Sequence, residues 1–198
     1  MEALDLGRLL WRLMPGEPEV QGLLALMLHC EARREARRTA AGKYVPLSEQ
    51  DTARWSRPMI DEAEQLLAAA AHAGRLGRFQ LQAAIQSVHA ERAATGVTNW
   101  DAVALLYEGL VRLAPTIGAL VGRAAAVAEA YGAGRGWALL EDIPAGAVEG
   151  YQPYWALAAH LLWRLQRAEE AAAAYSRAIS LCKDQATREF LAQQATRR

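Results

Sequence analysis

The sequence predicts an all-α protein: a helical repeat of stacked antiparallel hairpins, an α-α superhelix. Three observations predict it. Apolar residues recur near every 3.6 positions along almost the whole chain. Glycine and proline punctuate the periodic segments. From Phe79 the pattern repeats, with helices starting near Phe79, Thr116 and Pro153, roughly 35–38 residues apart, each followed by a second helix. Only Tyr44 to Leu47 offers a candidate strand.

Leu6, Leu9, Leu10 and Leu13 form the apolar face of a first helix, which Pro15-Gly16 stops. A second helix starts near Pro18, with Glu17 and Glu19 at its positive end, and runs through "LLALMLHCEARREARR" to Gly42. The segment "KYVPLSEQDTARWSRP" has no clear period. A third helix begins near Pro58, with Ile60, Ala63, Leu67 and Ala70 on one face, and Gly74 and Gly77 follow it. In the repeat region Thr98 and Asp101 fit a capping box. Pro115 and Pro144 end two of the second helices. Asp184 can cap a last helix whose Phe190 and Leu191 would cover the final repeat. The chain therefore reads as one helical domain. Residues 1–77 hold the N-terminal helices with an irregular segment at 42–57, residues 78–182 about three hairpins, and residues 183–198 a capping helix.

The many alanines fit this architecture. Hairpins that pack closely need small side chains where helices cross, with bulky residues between. Trp155, Ala159 and Leu162, then Ala171, Tyr175 and Ala178, fall in the register of a tetratricopeptide-type hairpin. The match is loose: Ala159 stands where that repeat has glycine, and the turn at Thr95 to Trp100 carries extra residues.

Composition excludes several function classes. The 198 residues are 53% apolar and 22% charged, which suits a packed globular chain. The 22 basic and 22 acidic residues cancel, so no global field draws the chain to nucleic acid or anionic lipid. Cys30 and Cys182 form no CxxC pair, which fits a reducing cytoplasm. No apolar run is long enough to span a bilayer, and the N-terminus does not read as a signal peptide.

Nothing reads as catalytic. His29, His72, His89 and His160 lack ligand spacing, so no metal or other cofactor is expected. "GAGRG" follows a helix and not a strand, the wrong context for a phosphate loop. "RREARR" reads as a solvated face at a helix C-terminus, with acidic residues diluting its charge. Two features are candidate partner-binding sites. Gln82, Gln86 and His89 share a face of the first repeat helix, as a lining of the concave surface or an ordinary hydrated face. In "SEQDTARW", Gln50, Asp51, Arg54 and Trp55 form either an interface anchor or a plug over the first hairpin, with an Asp51–Arg54 pair over the indole.

The motifs "EVQGLLALMLHCEARREAR", "GKYVPLSEQDTARW" and "FQLQAAIQSVHAE", in that order, resemble the C-terminal tetratricopeptide-like extension of a group of extracytoplasmic-function (ECF) sigma factors. The resemblance runs from about Leu9 to Leu191. It implies a bacterial, cytoplasmic regulatory domain in transcription initiation, whose protein partners are the sigma regions of the same polypeptide, RNA polymerase or a regulator. The parent factor would bind promoter DNA, but no helix pair here reads as a recognition helix-turn-helix, so direct DNA binding by this chain is not expected. Where that group commonly carries asparagine, this chain has Gly122. A free-standing adaptor or a sensor of small ligands or peptides is the alternative.

Overall fold

The computed structural model describes residues 2–196, so the outermost ends of the expected 1–77 and 183–198 segments lie outside the described residues. Every regular element among them is a helix. These are α1 (Glu2–Leu13), α2 (Pro18–Ala32), α3 (Arg57–His72), α4 (Arg78–Ala90), the short α5 (Arg92–Thr95), α6 (Trp100–Leu113), α7 (Ile117–Tyr131), α8 (Ala133–Glu141), the short α9 (Ala145–Val148), α10 (Gln152–Arg164), α11 (Ala168–Leu181) and α12 (Gln185–Ala195). The architecture is the all-α packing of helices that the sequence predicts. Tyr44–Leu47 is not a strand. Thr39 N–H to Lys43 O and Val45 N–H to Arg37 O frame a single bridge, closed by Gly42 in the left-handed region, and Leu47 then opens a 3-10 turn.

The described residues fall into two compact units. One takes the chain up to Arg38 together with Val45–Ala114; the other takes Thr39–Tyr44 and the chain from Pro115 on. In the first, α2 packs against α1, α3 and α4, and α4 also packs against α6. Leu24, Ala25 and Leu28 of α2 meet Ala63 and Leu66 of α3 and Ala83 of α4. The α2–α4 crossing is close because it passes over Gly22, where a Cβ would lie 2.7 Å from the Gln80 nitrogen. Just before it, the Glu19 carboxylate accepts the Phe79 and Gln80 N–H groups at 3.1 and 3.2 Å. An acid of α2 thus caps α4, at the end where a helix favours negative charge.

The leucine stripe of α1 faces away from this core. Leu4 and Gly7 are buried against α2, while Leu6, Leu9, Leu10 and Leu13 are 64, 48, 36 and 71% exposed. The helix is held in that orientation by Arg8, whose guanidinium bonds both oxygens of Glu62 on α3 at 3.2 and 2.8 Å. Periodicity locates a stripe correctly here but not the side on which a neighbour lies.

In the second unit, α7 pairs with α8 and α10 with α11, while α12 packs on α11. Ala159, Leu162, Ala171, Tyr175 and Ala178 are buried together in the expected register, and Leu191 of α12 closes that core. Asp184 caps α12 as expected, accepting the Thr187 N–H at 2.8 Å, and Thr116, near which a helix start was expected, caps α7 by accepting the Ala119 N–H at 3.2 Å. The cap of α6, in the first unit, differs from expectation by one residue. Asn99, not Thr98, accepts the Ala102 N–H at 3.1 Å.

Small residues sit where helices cross, and Gly136 shows the constraint. A Cβ there would run into Ala128 and approach the Ala124 carbonyl oxygen to 2.7 Å. Gly136→Ala is expected to lower stability by about 1–3 kcal/mol, because the crossing must spread. Gly146→Ala, with nothing within 4 Å, is expected to be neutral or slightly stabilising. Urea denaturation of the two variants checks the contrast.

Candidate functional site

Polar side chains gather at the end of the first unit where α2, α4 and the segment 45–56 meet. The segment has no long helix to satisfy its backbone. It runs as two 3-10 turns, Leu47–Glu49 and Thr52–Arg54, the second capped by Asp51, which accepts the Ala53 N–H at 3.0 Å. The Ser56 N–H donates to the Ala32 carbonyl at 2.9 Å and ties the segment's end to α2.

Arg92, in the turn after α4, holds the remainder. Its guanidinium donates to the carbonyls of Leu47 at 2.9 Å, Ser48 at 3.1 Å and Gln50 at 2.9 Å. The same group lies 5.1 Å above the centre of the Trp55 ring. Trp55 is 6% exposed and packs with Ala32, Ala36, Ile60 and Ala90. A cation does stack on this indole, but it is Arg92 and not Arg54, which donates instead to the Arg38 carbonyl at 3.1 Å. The Asp51–Arg54 pair does not form: Asp51 is spent on its cap.

Of the predicted positions, Gln50, Trp55 and His89 are buried, Gln82 and Gln86 are half-buried, and Asp51 and Arg54 are exposed. The structure brings Gln50, Trp55, Gln86 and His89 into one neighbourhood. Gln82 stays outside it, two turns before His89. Gln50 Nε2 donates to the Val45 carbonyl at 3.2 Å. Gln86 Oε1 accepts from the Arg33 guanidinium. His89 meets Trp100 of α6 edge to face, with ring centres 5.4 Å apart.

Sequence reasoning missed three members: His29, Arg33 and Arg92. Arg33 opens "RREARR", yet it is 8% exposed, whereas Arg34 and Arg37 are on the surface. A signal for it existed. Gly22, Ala25, His29, Arg33 and Ala36 follow helical spacing, so Arg33 continues the buried stripe of α2.

The electrostatics are unusual for a core. Burial pushes the Arg33 guanidinium below its ordinary value, an effect offset in part by Cys30 and reinforced by the like charges of Arg37 and Arg92. Burial, then the Arg33 charge, lowers His29 to about 4. Burial, then Arg33 and Arg92, lowers His89 to about 4. Both rings are therefore neutral at pH 7. The approach of Glu64 Oε1 on α3 to His29 Nε2, at 3.4 Å, is then no ion pair. Arg33 Nη1, both ring nitrogens of His29, Gln50 Oε1 and Trp55 Nε1 are buried without a hydrogen-bond partner.

Residues 1–71 match the model of a family described as of unknown function, DUF6596. That stretch holds His29, Arg33, Gln50 and Trp55 and ends before α4. An uncharacterised protein of Rhizobium meliloti (strain 1021), R00370, is 42% identical over 180 residues, which cover 91% of this chain and 42% of the relative. The chain thus spans less than half the length of the curated relative it matches. No solved structure matches.

Two outcomes are expected. Trp55→Ala should cost about 3–5 kcal/mol as the truncation of a buried anchor, against about 0.5 kcal/mol or less for exposed Arg54→Ala, both read by urea denaturation. Stability should also fall as pH drops from about 6.5 toward 4. In that window the unfolded chain takes up protons that buried His29 and His89 refuse, at roughly 3 kcal/mol per ring. The groups facing them are Arg33 and Glu64 for His29, and Arg33, Arg92 and Trp100 for His89. His89→Gln should flatten the profile, and an unchanged slope would count against this assignment.

Proposed function

We propose that this chain is a regulatory protein-interaction domain of an ECF-type RNA polymerase sigma factor, acting in the cytoplasm during transcription initiation by docking on the sigma regions of its own polypeptide. The observation that carries the reading is the leucine stripe of α1. Leu6, Leu9, Leu10 and Leu13 sit at i, i+3, i+4 and i+7, all face water, and are fixed there by the Arg8–Glu62 pair. A contiguous apolar face of this kind marks a protein contact, and helical spacing is how an amphipathic helix engages a groove. The three sigma-factor-like motifs supply the partner's identity. The greater length of the Rhizobium relative is in keeping with a domain that works inside a larger polypeptide. The balanced charge supports contact with protein and not with DNA.

A second reading, a sensor of small ligands or peptides, has its own support. The second unit contains a cavity of about 440 Å³ lined by Trp137, Tyr154, Trp155, Leu162, Glu170 and Arg177. Its size and mostly apolar wall suit a small molecule, and a thermal-shift screen with metabolites addresses it.

The docking reading is tested by titrating the isolated sigma regions of the parent polypeptide against this chain. Replacing Leu6, Leu9 and Leu13 together with Gln should leave stability nearly unchanged, because the side chains are exposed. Affinity should fall at least tenfold, on the order expected for losing central apolar anchors. Equal binding by wild type and variant, or no binding by the wild type, defeats the proposal.

A further inference from the structure

We propose that the cavity of the second unit is a binding site for a small apolar carboxylate, whose charge Arg177 takes and whose body lies against Trp137, Tyr154 and Trp155. The inference rests on the sensor reading of that cavity and names its ligand class. Helical spacing builds the site. On α10, Trp155, Ala158 and Leu162 follow at i, i+3 and i+7; on α11, Glu170, Ala173, Ala174 and Arg177 follow at i, i+3, i+4 and i+7. Ala158, Leu162 and Ala174 are buried and make the floor. The two alanines are too short to fill the space above them, which measures about 440 Å³. The half-buried rings of Trp137, Tyr154 and Trp155 form the walls, and Glu170 and Arg177 stand exposed at the rim. A second cavity of about 410 Å³ shares Tyr154, Trp155 and Arg177 and extends along α9, so Arg177 belongs to both.

The polar groups of the lining select the ligand. Trp155 spends its Nε1–H on the Val148 and Glu149 carbonyls, at 3.1 and 3.3 Å, so it offers the cavity ring carbon only. Both Glu170 oxygens accept from Arg167, at 2.7 and 2.6 Å, and the same guanidinium lies 5.0 Å from the centre of the Trp137 ring. The Glu170 carboxylate is therefore answered. Arg177 is not. Its Nη2 donates to the Glu149 carbonyl at 2.9 Å, and among the described residues no carboxylate comes within ion-pair distance of it. A guanidinium has five N–H donors, so most of its fork stays free for a ligand. The Tyr154 hydroxyl adds a donor, since burial and then the Glu141 charge raise its pKa and keep it protonated. An apolar cavity with one unanswered planar cation at its mouth fits an apolar body carrying a single carboxylate, the group that matches the fork.

The test uses the full chain and three probes that share a body and differ in the head group: naphthylacetate, naphthylacetamide and naphthylethylamine, each titrated by calorimetry. Wild type should bind the carboxylate about fivefold more tightly than the neutral amide, the scale of a partly exposed ion pair, and the preference should shrink as salt is added. The amine should bind most weakly. Arg177→Gln should abolish the preference and leave the amide affinity unchanged. Arg177→Lys should keep part of it, having the charge without the fork. Ala173→Phe puts a ring into the cavity from an exposed position, and should weaken all three probes about tenfold with little change in stability. An amide or amine bound as tightly as the carboxylate defeats this inference alone and leaves the cavity a ligand site. A tighter amine would mark Glu141, Glu149 and the ring faces as a cation receptor. If Arg177→Gln weakens all three probes equally, the inference also fails, and the bond from Arg177 to Glu149 is structural. Undiminished binding in Ala173→Phe places the probes elsewhere and defeats it too. If wild type binds none of the three, the inference falls, and a blank metabolite screen beside it removes the sensor reading as well.

Discussion

One guanidinium carries three backbone carbonyls of a segment that has almost no hydrogen-bond ladder of its own. Arg92 bonds Leu47, Ser48 and Gln50 while its flat face covers Trp55. Those carbonyls have no partner of equal strength nearby, and a charged donor gives each a stronger bond than a neutral one would. Because Arg92 follows directly on α4, the segment's position is tied to the end of that helix. Trp55 can then reach between α2 and α4, where it packs with Ala32 and Ala90. Within the cluster, burial first and the neighbouring guanidinium charges second keep His29 and His89 neutral.

Local rules read most of the fold from the sequence. Helices α7, α10 and α12 start where their caps or prolines place them, and the buried register Ala159, Leu162, Ala171, Tyr175 and Ala178 follows from repeat spacing alone. These features depend on neighbours a few residues apart. What was not legible depends on partners far along the chain. The α1 stripe was found, but its direction is set by Gly7 and Leu4 meeting α2, and glycine carries no hydropathy signal.

The candidate site shows the same division. Trp55 and an arginine do stack, as the segment suggested, yet the arginine comes from beyond α4 and not from the next position. Local spacing names Arg54 because it is the only arginine that such spacing can reach. Arg33 was hidden by composition: in a run of arginines, a solvated face is the ordinary outcome, and the continuing stripe from Gly22 and Ala25 through His29 was the stronger signal. Gln86 was placed on the right helix face, but that face is occupied by α2 and not open.

The glycine crossing at Gly22 and the Glu19 cap lie within one turn of each other, and together they fuse two helices into one cooperative body. The first turn of α4 has its N–H groups satisfied by α2, and the α2 backbone has no side chain at Gly22 to let Gln80 slide past it. Neither helix can fray from that end without exposing polar atoms of the other. In native-state amide exchange the two helices are therefore expected to open as a single unit with one free energy, although more than forty residues of chain separate them, while α1, attached through Leu4 and a half-exposed ion pair, is expected to open separately and at lower cost.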